Sequence, residues 1–244
     1  MVAQIAADTG VSDVQARALA IDKSNELAEA LQDQLLYTWR RHFAALIQRT
    51  NSEISAEGPH RRDGHFPLKR SMGFIDIVGF TALAARLSPQ ELTRLLHDFE
   101  DTARDVVTSR GGRIVKTIGD AVMYIANDLS TAANVVTALM EEIQGGTHNL
   151  QLRASLVSGE VVSLSGDVFG PTVNLASRLV NMAPPGGIRM DGNTAALIKA
   201  SKVASKYVIH PCSKQEAKGL GEIIPWSLKR TEWVLAEKAG AEKK

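Results

Sequence analysis

The chain has 244 residues, with 28 Lys and Arg against 27 Asp and Glu and a formal net charge of +1. That balance gives no electrostatic case for a nucleic-acid or anionic-lipid partner. With 44% hydrophobic and 23% charged residues, the composition is that of a soluble globular protein with room for one good-sized domain and an accessory segment. The single cysteine, Cys212, excludes an internal disulfide and a zinc-type spacing and fits a reducing compartment. No apolar run approaches the roughly 20 residues needed to span a bilayer, and residues 1–8 lack the basic-then-apolar pattern of a signal peptide. The expectation is a cytoplasmic chain that makes no membrane contact of its own. A regulatory or membrane-anchored region upstream of this sequence stays open.

Residues 1–50 read as a helical regulatory or dimerisation segment. Ser12 and Gln15 have capping-box spacing. Leu27, Leu31, Leu35, Trp39 and Phe43, with Leu46 and Ile47, continue an apolar stripe that needs a partner surface. That partner is the rest of the chain, the same helix of a second chain, or a domain outside this sequence. Residues 51–70 carry Gly58, Pro59, Gly64 and Pro67 and read as a linker.

Residues 71–230 alternate strands and helices. The first strand contains Gly73-Phe74-Ile75-Asp76-Ile77-Val78, and Gly79-Phe80-Thr81 breaks from it towards a helix. A carboxylate inside an apolar run is costly unless a cation or a set of donors meets it, and backbone N–H groups at a helix start attract anions. Alone, an aspartate such as Asp76 in a strand is more often a capped or solvated side chain than a metal ligand. Ser88-Pro89-Gln90-Glu91 is a capping box with Pro at the first helical position, and Leu92, Leu95, Leu96, Phe99, Ala103 and Val106 form one face of the helix behind it.

Arg113 to Ile118 and Ala121 to Ile125 then read as a hairpin closed by the two-residue turn Gly119-Asp120. Lys116 shares strand parity with Ile114 and Ile118, which sends its ammonium out of a mostly apolar face, where it requires a partner. A second helical face runs from Ala132 to Ile143 and ends at Gly145-Gly146. Leu150 to Ser158 and Val161 to Leu164 read as two strands turning around Ser158-Gly159-Glu160. Asp167 lies in a Gly-containing loop before a helix on which Asn174 and Arg178, four residues apart, share a face suited to a polyanion. The order is β-α-β-β-α-β with further elements: an α+β, ferredoxin-like core with additional C-terminal strands and helices, its sheet covered by helices on one face. Residues 231–244, rich in Glu, Lys, Ala and Gly, read as a fraying tail.

Taken together, the strand Asp, the hairpin Asp and the Val173-Asn174-Leu175-Ala176-Ser177-Arg178 segment resemble the catalytic domain of class III nucleotidyl cyclases, from about Leu68 to Leu228. The resemblance implies two divalent cations, Mg²⁺ or Mn²⁺, at Asp76, Ile77 and Asp120. It implies ribose and transition-state roles for Asn174 and Arg178, and purine recognition by Lys116 and Asp167. For the triphosphate it implies Gly79, Phe80, Thr81 and a basic residue near the C-terminus. Lys218 is the candidate there, with Leu220 standing where some relatives carry lysine. It also implies a homodimer with two shared sites, each drawing its metal carboxylates from one subunit and its remaining groups from the other.

A Lys donor beside an Asp acceptor complements N1 and the amino group of adenine and mismatches guanine. The activity implied is therefore that of an adenylyl cyclase, making 3′,5′-cyclic AMP and pyrophosphate from ATP for intracellular signalling. A non-catalytic nucleotide-binding module would normally lack part of this set. The Gly-Gly-Asp/Glu-Glu-Phe turn of diguanylate cyclases is replaced here by Ile118-Gly119-Asp120-Ala121.

Overall fold

The structure, a computed structural model, describes residues 67–146, 150–164 and 166–234, together with the helical positions Gln15, Arg17, Leu19, Ile21 and Arg40. The apolar stripe from Leu27 to Ile47, linker residues 51–66 and the tail from residue 235 lie outside the described residues. The chain divides into two units, Met1–Asp63 and Gly64–Lys244, and the second carries the sheet.

Strand β1 (Pro67–Ile77) leads through a short helix α1 (Phe80–Ala84) into α2 (Pro89–Ser109), then the hairpin β2 (Arg113–Ile118) and β3 (Ala121–Ala126), helix α3 (Leu129–Gln144) and β4 (Leu152–Leu164). These strands lie in the order β2-β3-β1-β4, which is the ferredoxin-like arrangement. The sequence continues with β5 (Asp167–Phe169), α4 (Pro171–Met182), β6 (Ile188–Met190), α5 (Gly192–Lys199), β7 (Tyr207–Pro211), the hairpin β8 (Gln215–Ala217) and β9 (Gly221–Ile223), and β10 (Trp226–Arg230). Strands β6, β10 and β7 extend the main sheet beyond β4, while β8 and β9 pair only with each other.

Alternation along the strands sorts side chains to two faces. Ile75, Val122, Tyr124, Leu152 and Leu156 meet Leu95 and Phe99 of α2 and Val135, Val136 and Leu139 of α3. Met72, Phe74, Met123, Ile125 and Val157 face the other way and meet Ala176, Leu179 and Val180 of α4. Helices therefore cover both faces, not one, because α4 carries its own apolar stripe. The α2 capping box forms as the sequence indicates: Glu91 N donates to Ser88 Oγ, and Ser88 N donates to Glu91 Oε2 at 2.8 Å.

Four local readings change. Residues 67–70, grouped with the linker on composition, pair with Gly159 to Val162 of β4, with Pro67 at the first strand position, where its missing N–H is tolerated. Leu150 to Leu164 is not a hairpin. Residues 152–164 form one strand, and Gly159 lies within it because Thr172 of α4 packs there; a Cβ would sit 2.6 Å from Thr172 Oγ1. The parity of β2 also shifts at a bulge between Ile114 and Lys116. Beyond Arg230, residues 231–234 are helical, and Trp233 Nε1 donates to Glu141 at 2.7 Å.

Candidate active site

The two aspartates meet because of how the hairpin is attached. Asp76 stands opposite Ala121 of β3 and Arg153 of β4, and Ile77 N donates to the backbone oxygen of Asp120 at 3.3 Å. That bond holds the turn residue beside the strand residue, where Gly119 takes the positive φ of 62° that the tight turn requires. Asp76 is buried. Arg153 Nε donates to its Oδ2 at 2.6 Å, and a second guanidinium nitrogen lies 2.5 Å from the same oxygen.

Burial pushes the Asp120 carboxyl above its usual range. A bond from its own backbone N–H opposes that shift, and the Asp76 charge adds to it. A second carboxylate held beside the Asp76 charge, with an arginine already drawn to Asp76, makes a place for positive charge. Their oxygens suit a hard divalent cation. Among the described residues no third His, Cys, Asp or Glu joins them in a cluster, so further coordination would fall to backbone oxygens, water or a ligand's phosphates. The Ile77 side chain is in the core, leaving only its backbone for such a role. Arg153 is the residue that the sequence reading missed. Its signal was available: one charged residue in the apolar run Leu152 to Leu156, the same oddity that singled out Lys116.

Lys116 finds the partner it requires. Its Nζ donates to Asp167 Oδ2 at 2.6 Å, while Asp167 Oδ1 accepts from Val168 N at 2.8 Å. The lysine bond, then the backbone bond, hold the Asp167 carboxyl below its usual range. The reason first offered for this geometry does not stand. Ile114 lies opposite Tyr124 and Lys116 opposite Met123, so the bulge places them on different faces of the sheet. Ile114 packs on the α2/α3 core, and Lys116 takes the face shared with Met72, Phe74 and Asp76.

Helix α4 begins at Gly170 with Pro171 in its first turn. It carries Asn174, exposed, and Arg178, half-buried, and neither side chain has a hydrogen-bond or ion-pair partner among the described residues. Gly79 caps α1 with φ 70°, Phe80 packs on the core and Thr81 is exposed. Lys218 and Leu220 are exposed in the turn between β8 and β9, a hairpin braced by the Lys214–Glu222 pair. The chain thus assembles a carboxylate pair and a Lys–Asp pair. No hydrogen bond or ion pair between described residues joins either of them to Asn174, Arg178 or Lys218.

Residues 69–230 match the family described as the adenylate and guanylate cyclase catalytic domain. An adenylate cyclase of Glutamicibacter nicotianae is 32% identical over 93% of this chain, and one of Streptomyces coelicolor is 36% identical over 84%. This chain spans 58% of the length of each. Among solved structures, the catalytic core of a rhodopsin-guanylyl cyclase with converted specificity, in complex with ATPalphaS, superposes with a TM-score of 0.61 at 25% identity, covering 67% of this chain and 97% of that one. The chain belongs to the adenylate and guanylate cyclase catalytic-domain family.

Proposed function

We propose that the chain is the catalytic part of an adenylyl cyclase that converts ATP to 3′,5′-cyclic AMP and pyrophosphate, in the cytoplasm, at sites shared across a homodimer. The observation that carries the choice of ATP is the Lys116–Asp167 pair at 2.6 Å, a donor and an acceptor side by side, as N1 and the amino group of adenine require. The family and the names of its adenylate cyclase relatives support the same substrate.

Asp76 and Asp120, with the Ile77 backbone, would hold Mg²⁺ or Mn²⁺, two per site. Bound there, the cations lower the pKa of the ribose 3′-hydroxyl and neutralise phosphate charge. The protein groups do the rest. Asn174 fixes the ribose so that the hydroxyl stands in line with the α-phosphorus. Arg178, one turn along the same helix, offsets charge building on the phosphoryl oxygens. The Gly79-Phe80-Thr81 turn and Lys218 take the triphosphate. Within one chain the metal carboxylates and the α4 groups are unconnected, which suits sites completed by a second copy. Ile118, Leu164 and Phe169, at 53%, 55% and 48% exposure, flank the Lys–Asp pair as apolar side chains that such a partner would cover. Residues 1–50 are read as the regulatory or dimerising segment of this protein. Among the described residues no helix is long and apolar enough to cross a membrane.

Incubation with ATP or GTP and Mn²⁺, with products identified by mass, tests the reading: cyclic AMP should dominate. Asp76→Asn and Asp120→Asn should each remove nearly all turnover. Either variant keeping more than about a tenth of wild-type kcat, roughly 1.4 kcal/mol of barrier, rejects the two-carboxylate site.

A further inference from the structure

Phe169 is a large apolar side chain left half exposed beside the Lys116–Asp167 ion pair. In β5, Asp167 and Phe169 are two residues apart and so project to the same side, while Val168 between them is buried in the core. The Lys116 ammonium bonds the carboxylate of the first at 2.6 Å and lies 5.9 Å from the ring centroid of the second. That distance is within the reach of a cation–π attraction. Lys116 itself enters from a different strand, on a flexible stem whose ordering is costly.

We propose that Phe169 is a positioning residue for purine selection: with Asp167 it holds the Lys116 ammonium so that one N–H is aimed outward at the ring nitrogen of the base. This rests on the base-reading assignment of Lys116 and Asp167 above. An ammonium has three donors. Asp167 takes one, the ring face occupies the side of a second, and the third is left for the base. Without the ring, the carboxylate alone fixes one N–H and the ammonium swings about that bond. An aliphatic side chain of similar volume keeps the packing and loses the quadrupole that attracts the cation.

Steady-state rates with ATP and with GTP on the full chain, with subunit association followed by light scattering, test this. Phe169→Leu should raise KM for ATP about 3- to 10-fold, leave kcat within about twofold and lower the ATP/GTP ratio of kcat/KM by a similar factor, and Phe169→Trp should restore both. In a Lys116→Met background, Phe169→Leu should change the ratio by less than about twofold, because the cation it positions is gone. An unchanged ratio in Phe169→Leu, where Lys116→Met does alter it, overturns the positioning role alone. Equal effects of Phe169→Leu in both backgrounds, or a loss that tracks dissociation of the subunits, assigns the ring to packing and overturns it too. An ATP/GTP ratio indifferent to Lys116→Met overturns the base assignment and this inference with it.

Discussion

Asp76 and Asp120 are chemically identical side chains in opposite circumstances. Asp76 has a guanidinium on one carboxylate oxygen, whereas Asp120 is partly buried beside the Asp76 charge and is pushed towards its neutral form. Their conversion to amides should therefore move metal-free stability in opposite directions. Asp120→Asn removes a charge that burial and repulsion both penalise, and should raise Tm, though by less than about 2 °C because solvent screens a carboxyl that is only partly buried. Asp76→Asn strands Arg153 without its counter-charge and should cost about 1–3 kcal/mol, less than a fully buried pair because the arginine keeps some contact with water. Thermal melts in a chelator check this, and shifts of the same sign in both variants contradict it. Asp76 and Lys116 stood out in the sequence because a charge in an apolar strand demands a partner, whereas Asp120, in a turn, gained its role only from the resemblance. Arg153 obeyed the same rule and was passed over. The partner of Lys116 lay 51 residues away, on β5, a distance at which periodicity says nothing.

At the scale of elements, β1 is held to β4 by an exchange that no strand pattern discloses. Around Gly73 the ladder is replaced: Phe74 N donates to Ser155 Oγ at 3.0 Å, and Tyr124 Oη reaches over Gly73 from β3 to the Ser155 carbonyl at 2.7 Å. A methyl group on Gly73 would overlap the Ser155 carbonyl oxygen and stand 2.6 Å from the Tyr124 hydroxyl. Gly73→Ala should therefore cost at least about 2–3 kcal/mol, or roughly 5–10 °C of Tm in a domain of this size. A shift below about 2 °C would show that β1 moves freely against β4. The capping box of α2 and the apolar faces of α2 and α3 were legible because helix signals are local. The bulge in β2, the unbroken course of β4 and the place of α4 on the second face were not. Each depends on what packs across the sheet: Gly159 looks like a turn residue until Thr172 is seen above it.

At the scale of the molecule, the order β-α-β-β-α-β was enough to give the β2-β3-β1-β4 part of the sheet, because short connections leave few topologies, but not the extension through β6, β10 and β7. What a second copy contributes lies beyond any single-chain pattern. In the dimer proposed above, each site takes its metal carboxylates from one subunit and its α4 groups from the other. Asp76→Ala damages the first half and Arg178→Ala the second, so each homodimer should be nearly inactive. A mixed dimer collects both lesions in one site and neither in the other. With equal amounts and free exchange about half of the dimers are mixed, each with one intact site of two, so mixing the variants should restore about a quarter of wild-type cyclic AMP production under two-fold symmetry. The measurement is the rate before and after mixing, with exchange confirmed by differently tagged chains. Recovery to about a quarter is the result predicted; confirmed exchange with no recovery would mean that the site is not shared in this way.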